Sequence, residues 1–237
     1  ELYKGYADAY VGLATARALL PFYSNEPMEA SFDLARSIIA KGAVYDDSVD
    51  TRAAGIVAFM LFHSEWRYIE SENAFRVALQ NRPNDAELLN WYSQFQASVG
   101  RIAASLEYAI RARDLEPLSP VVNQRLAIAY LWANQDELAE QQFALAAEQG
   151  DPHGQFNLGL AYYLKQDWDN AYRAYRNGFD AGRNDDNRVS TTHWLYMISC
   201  RKGDAAAAEP AAPKKPSGAA PRPPKGTGAK PRPPKGR

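Results

Sequence analysis

Apolar side chains recur through the first 203 residues at intervals of three and four, the spacing that places them on one face of an α-helix. Phe75, Ala78 and Leu79 form one such face. The segments are about a dozen residues long, as ordinary globular helices are, and no stretch alternates apolar and polar residues with the period of a strand. The pattern therefore predicts an all-α chain.

Helix-breaking residues divide these segments at regular places. Pro combined with Asn, Asp, Ser or Gly marks an outer set of breaks at 81–85, 116–120 and 150–153. Short polar turns mark an inner set at 99–101, 134–136 and 166–168. Each unit between two outer breaks is thus predicted to contain two amphipathic helices.

The units repeat with a nearly constant period. Pro83 and Pro117 lie 34 residues apart, and aligning them places Phe75 over Ala109. The next unit begins at Pro120, and its pattern residues are Leu126, Ala127, Tyr130, Ala139, Phe143 and Ala146. The unit after it begins at Pro152, two residues earlier than a period of 34 would place it. Its pattern residues are Leu158, Gly159, Tyr162, Ala171, Tyr175 and Gly178. A helix pair of this size cannot bury its own apolar face, so tandem units are expected to stack.

This spacing resembles the tetratricopeptide repeat (TPR), whose pattern has a Leu-Gly pair, a Tyr, an Ala, an aromatic residue, an Ala and a closing Pro. The Leu158 unit fits it, with Gly178 in place of the final Ala and no closing Pro. The resemblance implies a right-handed superhelical solenoid of antiparallel helix pairs. We expect ten or eleven helices over residues 1–203, with an irregular first unit (helices at 6–20 and 28–41) and a capping helix at 190–201.

Several segments of residues 3–150 are similar to one bacterial subfamily of such arrays. They are Tyr6-Ala-Asp-Ala-Tyr-Val-Gly-Leu-Ala14, a long Pro-containing loop, Phe75-Arg-Val-Ala-Leu79, Trp91-Tyr92, Val99-Gly-Arg101 and Leu115-Glu-Pro-Leu-Ser-Pro120. In that subfamily the array lies C-terminal to a winged-helix DNA-binding domain, an adenylate or other nucleotide cyclase domain, or a protein kinase domain. The resemblance implies a sensory or docking module of a bacterial signalling protein.

Composition changes sharply at residue 204. Residues 205–237 contain eight Lys or Arg and one acid, Glu209, for a net charge of +7, which leaves residues 1–204 with 19 basic and 27 acidic residues and a net charge of −8. The tail, 204–237, is rich in Pro and Ala and has no Leu, Ile, Val, Met or aromatic residue, so we predict that it is disordered. Its repeated Pro-Arg-Pro-Pro-Lys-Gly hexapeptide is consistent with a spacer, a ligand of an SH3-like aromatic groove, or a tether to nucleic acid or anionic lipid.

The residues that carry catalysis and metal binding are scarce. His63, His153 and His193 are far apart, Cys200 is the single cysteine, and no His-Glu-x-x-His, Cys-x-x-Cys or Gly-x-Ser-x-Gly motif occurs. We expect Cys200 to be a buried structural thiol, and the acid pairs Asp46-Asp47 and Asp185-Asp186 to lie in turns as helix caps. We therefore predict a protein that is not an enzyme and that needs no metal or cofactor.

Stacked helix pairs instead present a concave surface lined by the first helix of each unit. The predicted lining is Ala53, Ile56, Met60 and His63; Glu87, Asn90, Gln94 and Ala97; Val121, Gln124, Ile128 and Leu131; and His153, Phe156, Leu160 and Tyr163. Amide side chains can hold the backbone of an extended partner, so Asn90, Gln94 and Gln124 are the leading candidates. Glu87, His153, Phe156 and Tyr163 are candidates with them, whereas Ile56, Ile128 and Leu160 are expected in the core and His63 at a turn or surface.

Arg125 joins this set through the resemblance. Repeats that dock chaperones hold a C-terminal carboxylate with paired basic and Asn side chains, and Asn90 and Arg125 lie on suitable helices, although the remaining lysine and asparagine are missing.

The leading hypothesis is a non-catalytic scaffold that binds a peptide or protein segment in the concave groove. The alternatives are tethering through the basic tail, and an accessory domain of a cyclase or kinase.

The sequence also sets an expectation for where the protein works. Its longest apolar run, 53–62, is half the length that a spanning helix needs, so we expect a soluble chain. The cytoplasm is favoured, and the periplasm applies if a signal or anchor precedes Glu1.

Overall fold

The computed structural model describes residues 6–150, 153–181 and 185–203. Within these ranges the chain forms eleven α-helices, one short 3₁₀ turn at Leu20–Phe22, and no strand. The all-α prediction is therefore confirmed. The helices are α1 (Ala7–Leu19), α2 (Met28–Ala43), α3 (Ser48–Ser64), α4 (Tyr68–Asn81), α5 (Ala86–Ser98), α6 (Ile102–Leu115), α7 (Pro120–Trp132), α8 (Asp136–Glu148), α9 (Gly154–Leu164), α10 (Trp168–Ala181) and α11 (Asp185–Lys202).

The helices pack in consecutive pairs. The most extensive contacts join α3 to α4, α5 to α6, and α7 to α8, and the first helices of successive units also touch, α1 with α3, α3 with α5, and α5 with α7. Three residues separate the two helices of each pair from α3 to α10, too few for any arrangement but an antiparallel hairpin. Stacked hairpins produce the predicted solenoid, with the first helices along one surface.

Each of these inner turns has a left-handed residue at its centre. Trp66, Gly100, Asn134 and Gln166 have φ of 54°, 78°, 56° and 61°. In the last three turns this residue donates its N–H to the carbonyl three residues back, and the following N–H reaches the carbonyl five residues back, as Arg101 does to Gln96 at 2.9 Å. This is the Schellman ending of a helix. The left-handed residue thus recurs with the same spacing as the sequence repeat.

Aromatic side chains fill the space between the hairpins. Phe75 and Phe95 are fully buried with ring centroids 5.6 Å apart, and Tyr92 lies 5.2 Å from Phe75. Full burial of one such ring stabilises the fold by about 1.5–3 kcal/mol. In later units Phe143 and Tyr175 take the corresponding positions and are also fully buried. The aromatic residues of the repeat pattern are therefore part of the core that joins successive helices.

Local capping agrees with the predicted breaks. Asp85 accepts a hydrogen bond from the N–H of Leu88 at 3.0 Å at the start of α5, and Pro120 occupies the first turn of α7. Asp46 lies in the turn before α3 and accepts from the N–H of Ser48 at 2.9 Å, whereas the N-cap residue Asp47 makes no capping hydrogen bond through its side chain. The hydrogen bonds to Ser48 lower the pKa of Asp46 below its usual range.

Two predictions for the C-terminal helix are wrong. The capping helix begins at Asp185, five residues before the predicted start, so Asp185 and Asp186 open a helix rather than lying in a turn. Cys200 is exposed instead of buried. Leu195 and Ile198 face the core, and Cys200 lies on the opposite face of α11 together with exposed Tyr196.

Some expectations fall outside the described residues. These include the tail, 204–237, with its predicted disorder, and Pro152, from which the Leu158 unit was aligned. In the part of the chain that the structure describes, no helix is long and apolar enough to cross a bilayer.

Candidate protein-binding groove

Three successive first helices bring polar side chains together on the inner surface of the array. His63 lies on α3, Gln94 on α5 and Arg125 on α7. The side-chain nitrogen Nε2 of Gln94 lies 3.3 Å from Nε2 of His63, and His63 lies within electrostatic range of Arg125. One polar centre thus connects three repeats. We call these three residues, with Asn90 of α5, the groove centre.

The hydrogen bonds of His63 define which of its nitrogens carries the proton. An amide nitrogen can only donate, so Nε2 of His63 accepts from Gln94. The Nδ1–H then donates to the carbonyl oxygen of Phe59, one turn back on α3, at 3.0 Å. Because Nε2 needs its lone pair for Gln94, this arrangement requires the neutral imidazole.

The surroundings of His63 favour the same neutral state. Its ring stacks on Phe59 with centroids 4.0 Å apart and meets the edges of Phe62 at 4.5 Å and Phe22 at 5.3 Å. Burial among these rings lowers the pKa of His63, the hydrogen bond to the Phe59 carbonyl partly opposes this, and the positive charge of Arg125 lowers the pKa further. At neutral pH His63 is therefore a hydrogen-bonding group and not a second cation.

Arg125 is the charged member of the groove centre. Its Nε is buried with no hydrogen-bond acceptor, and among the described residues Arg125 forms no ion pair. Loss of hydration lowers its pKa to about 10, and no carboxylate raises it again. The guanidinium still carries its charge at neutral pH. It is a cation in a poorly hydrated place with no counter-charge from the described fold.

Asn90 adds a second unsatisfied polar group. Its side chain is only 6% exposed, and its Oδ1 is buried without a donor. Gln124, one residue before Arg125, is partly exposed on α7. Buried polar atoms in folded proteins are nearly always paired, so Oδ1 of Asn90 and Nε of Arg125 are candidates for hydrogen bonds from a partner. Both atoms lie on first helices that touch each other.

The other predicted site residues are not part of this centre. Glu87 lies at an exposed position at the start of α5, where partial loss of hydration and the neighbouring carboxylate of Asp85 raise its pKa. Phe156 and Tyr163 pack with Trp194 at centroid distances of 6.5 and 5.0 Å, within the C-terminal core cluster. His153 is exposed immediately before α9.

Known structures resemble this arrangement of helices. PilW, a widely conserved type IV pilus biogenesis factor, matches 85% of this chain and 88% of its own with a TM-score of 0.69 at 19% identity. The pilF protein of Pseudomonas aeruginosa matches 85% of this chain and 86% of its own, with a TM-score of 0.65 at 17% identity. A thermophilic TPR protein of Thermus thermophilus matches 67% and 86%, with a TM-score of 0.56 at 18% identity. The chain has a TPR-like fold.

At these identities the likeness concerns the fold alone. No protein-family model matches the sequence, and no curated protein matches it. Within the described residues, no three His, Cys, Asp or Glu side chains cluster as a metal site would require. The groove of this TPR-like chain must therefore be interpreted from its own residues.

His63 lies on the predicted groove lining, but its surroundings differ from the expectation. It is a half-buried residue of α3 rather than a turn or surface histidine, and it is bonded across the unit boundary to Gln94. A signal for it was available, since His63 belongs to the predicted groove lining on the first helix of its unit. Its partner could not be identified, because the distance between equivalent helices depends on the curvature of the solenoid.

Proposed function

We propose that this protein is a non-catalytic scaffold that binds an extended segment of a partner protein along the first helices α3, α5 and α7. The observation that carries the proposal is the pair of orphaned polar atoms, Oδ1 of Asn90 and Nε of Arg125, on adjacent helices of the inner surface. An extended segment has free backbone N–H and C=O groups and can satisfy the amides of such a surface.

Substitution of the groove amides tests the proposal. Asn90, Gln94 and Gln124 are each changed to Ala, singly and together, and the full chain is used to capture binding proteins from cell extract. The combined variant should lose the captured partner, and each single variant should weaken its capture. Undiminished capture by the combined variant would contradict binding in the groove.

A matched control uses the outer helices. Asn73 and Gln80 on α4 and Gln141 on α8 are exposed amides of the same residue types. The variant with all three changed to Ala should capture the partner as the unaltered chain does. A loss with this control instead would show that the partner binds the second helices.

We further infer that the scaffold is the regulatory part of a bacterial signalling protein. The inference is supported by the resemblance of residues 3–150 to arrays that follow winged-helix, cyclase or kinase domains. The coding sequence upstream of Glu1 tests it. One of these three domains in the same reading frame would support the inference, and a different class of domain would contradict it.

The charge asymmetry favours a second candidate function, in which the tail tethers the scaffold to nucleic acid or anionic lipid. Residues 205–237 carry a net charge of +7 against −8 on the rest of the chain. Binding through such a segment should weaken steeply as salt rises. Removal of 205–237 should then abolish binding to DNA fragments and to anionic vesicles, and salt-insensitive binding that survives the deletion would contradict tethering.

A further inference from the structure

The unpaired guanidinium of Arg125 points to the chemistry of the partner. A charged group removed from water loses hydration, and proteins normally compensate by placing an opposite charge beside it. Nε of Arg125 is fully buried without an acceptor, and no described Asp or Glu pairs with this residue. The compensating anion is therefore expected from outside the described fold.

The neighbours of Arg125 suit a carboxylate. Arginine presents parallel N–H groups that match the two oxygens of a carboxylate. The amide of Gln94 is kept in place by its bond to His63, 3.3 Å away. Asn90, also on α5, is only 6% exposed, and its Oδ1 is an acceptor that lacks a donor. The guanidinium of Arg125 and the remaining N–H of Gln94 can donate to an anion, and Oδ1 of Asn90 can accept from a backbone N–H of the segment that carries it.

The charge of the groove limits the partner to one carboxylate. Arg125 is the one cationic residue of the groove centre, since His63 is neutral there; of the predicted lining, Ala53, Ile56 and Met60 lie in the core instead. A phosphate group has a charge near −2 and normally requires further cations. The net charge of −8 on residues 1–204, with Glu87 on the same helix as Gln94, disfavours a segment that carries several acids.

We propose that Arg125 binds the side-chain carboxylate of a single Asp or Glu within an otherwise uncharged, extended segment of the partner. Asn90 and Gln94 hold the backbone on either side of that residue. This inference rests on the proposed function, because it assigns the partner chemistry of the same groove. In this arrangement Arg125 determines which segment is recognised, and the amides of Asn90 and Gln94 strengthen binding through the backbone of any segment.

A peptide library with both ends blocked tests the proposal. Random octapeptides, acetylated at the N-terminus and amidated at the C-terminus, are selected on the immobilised full chain. The enriched peptides should share one Asp or Glu. Changing that residue to Asn or Gln should weaken binding about 10-fold or more to the unaltered chain, the range for a buried charge pair, and should leave binding to the Arg125→Met variant unchanged.

The outcomes separate this inference from the proposed function. If peptides bind in competition with one another but need no acid, the groove binds segments and the role of Arg125 is wrong. If no peptide is enriched, both proposals fail. If enrichment appears only when the C-terminal amide is replaced by a free carboxylate, the anion is a chain end and the side-chain assignment is wrong.

Thermal unfolding distinguishes a binding role of Arg125 from a structural one. Arg125→Met removes an unpaired buried charge while keeping an unbranched apolar side chain, so its Tm should equal or exceed that of the unaltered chain. Arg113→Met, which removes a cation paired with Asp114 on α6, is the control for peptide binding and should retain it. A lowered Tm for Arg125→Met together with retained peptide binding would overturn the proposal.

Discussion

Gly159 on α9 lies directly against the ring of Tyr175 on α10. A Cβ atom added at Gly159 would be 2.8 Å from two ring carbons of Tyr175, closer than such atoms approach in real structures. The ring of Tyr175 is fully buried. The preceding unit has Ala127 and Phe143 at the same two positions, both in one core cluster. A small residue on the first helix thus accommodates a ring from the second.

Gly159→Ala is therefore expected to destabilise the fold. Overpacking a closely packed core costs about 1–3 kcal/mol, because the ring or the helix must move. Urea unfolding monitored by circular dichroism measures the change. Gly12→Ala is the control, since Gly12 is exposed on α1 with open space around it, and the free energy of unfolding should rise there by about 0.5–1 kcal/mol. Equal effects at the two glycines would contradict the packing argument.

Substitutions at equivalent positions of two inner turns should change the free energy of unfolding in opposite directions. Gly100 and Gln166 both have a left-handed backbone, with φ of 78° and 61°. A side chain is disfavoured in this conformation by about 1–2 kcal/mol. Gln166→Gly should therefore raise the free energy of unfolding by about 1 kcal/mol, and Gly100→Ala should lower it by a similar amount. Urea midpoints that move in the same direction for both variants would show that other contacts of the turns dominate.

Much of the fold could be predicted from the sequence because it depends on local periodicity. The inner turn at Gly100 and the outer break at Pro117 follow from residue types that end helices. Trp66 shows the limit, since nothing in its chemistry favours the left-handed backbone that it adopts at φ 54°. At this position the geometry of the repeat determines the backbone conformation, although the side chain does not favour it.

The candidate site was predictable by position but not by contact. Asn90, Gln94 and Arg125 lie on first helices, as the repeat pattern predicts. Which of them meet depends on how neighbouring hairpins curve, and that geometry is absent from the local sequence. The prediction for Cys200 was wrong for a related reason: which face of α11 is buried depends on the helices packed against it, and these cover Leu195 and Ile198 rather than Cys200.

Asn123 on α7 forms hydrogen bonds to the loop that precedes α7 and to the residue that follows α8. Its Nδ2 donates to the carbonyl of Pro117 at 2.9 Å and to Oε1 of Gln149 at 2.7 Å, and the residue is fully buried. Asn123→Ala removes both hydrogen bonds and should lower the free energy of unfolding by about 1–3 kcal/mol. Chemical denaturation checks this. Asn73→Ala, at an exposed position of α4, should change stability by less than about 0.5 kcal/mol, and a similar loss there would argue against a specific role for Asn123.

The neutral state of His63 gives the fold a pH dependence of known sign. Its pKa in the folded chain is lowered, first by burial, so between that value and the ordinary histidine value near 6.5 the unfolded chain binds more protons. Stability from His63 is therefore fully present above the ordinary pKa and decreases as pH falls through that window. Protonation also removes the acceptor used by Gln94.

In the unaltered chain, the free energy of unfolding should become smaller as the pH is lowered from about 8 to about 5. The His63→Gln variant should show a smaller loss over the same range. Glutamine can still accept a hydrogen bond but does not titrate, so the difference between the two curves isolates the imidazole. His193→Gln changes an exposed residue in the same way and serves as the control. Parallel curves for His63→Gln and the unaltered chain would show that His63 already takes up its proton in the folded groove as readily as in the unfolded chain.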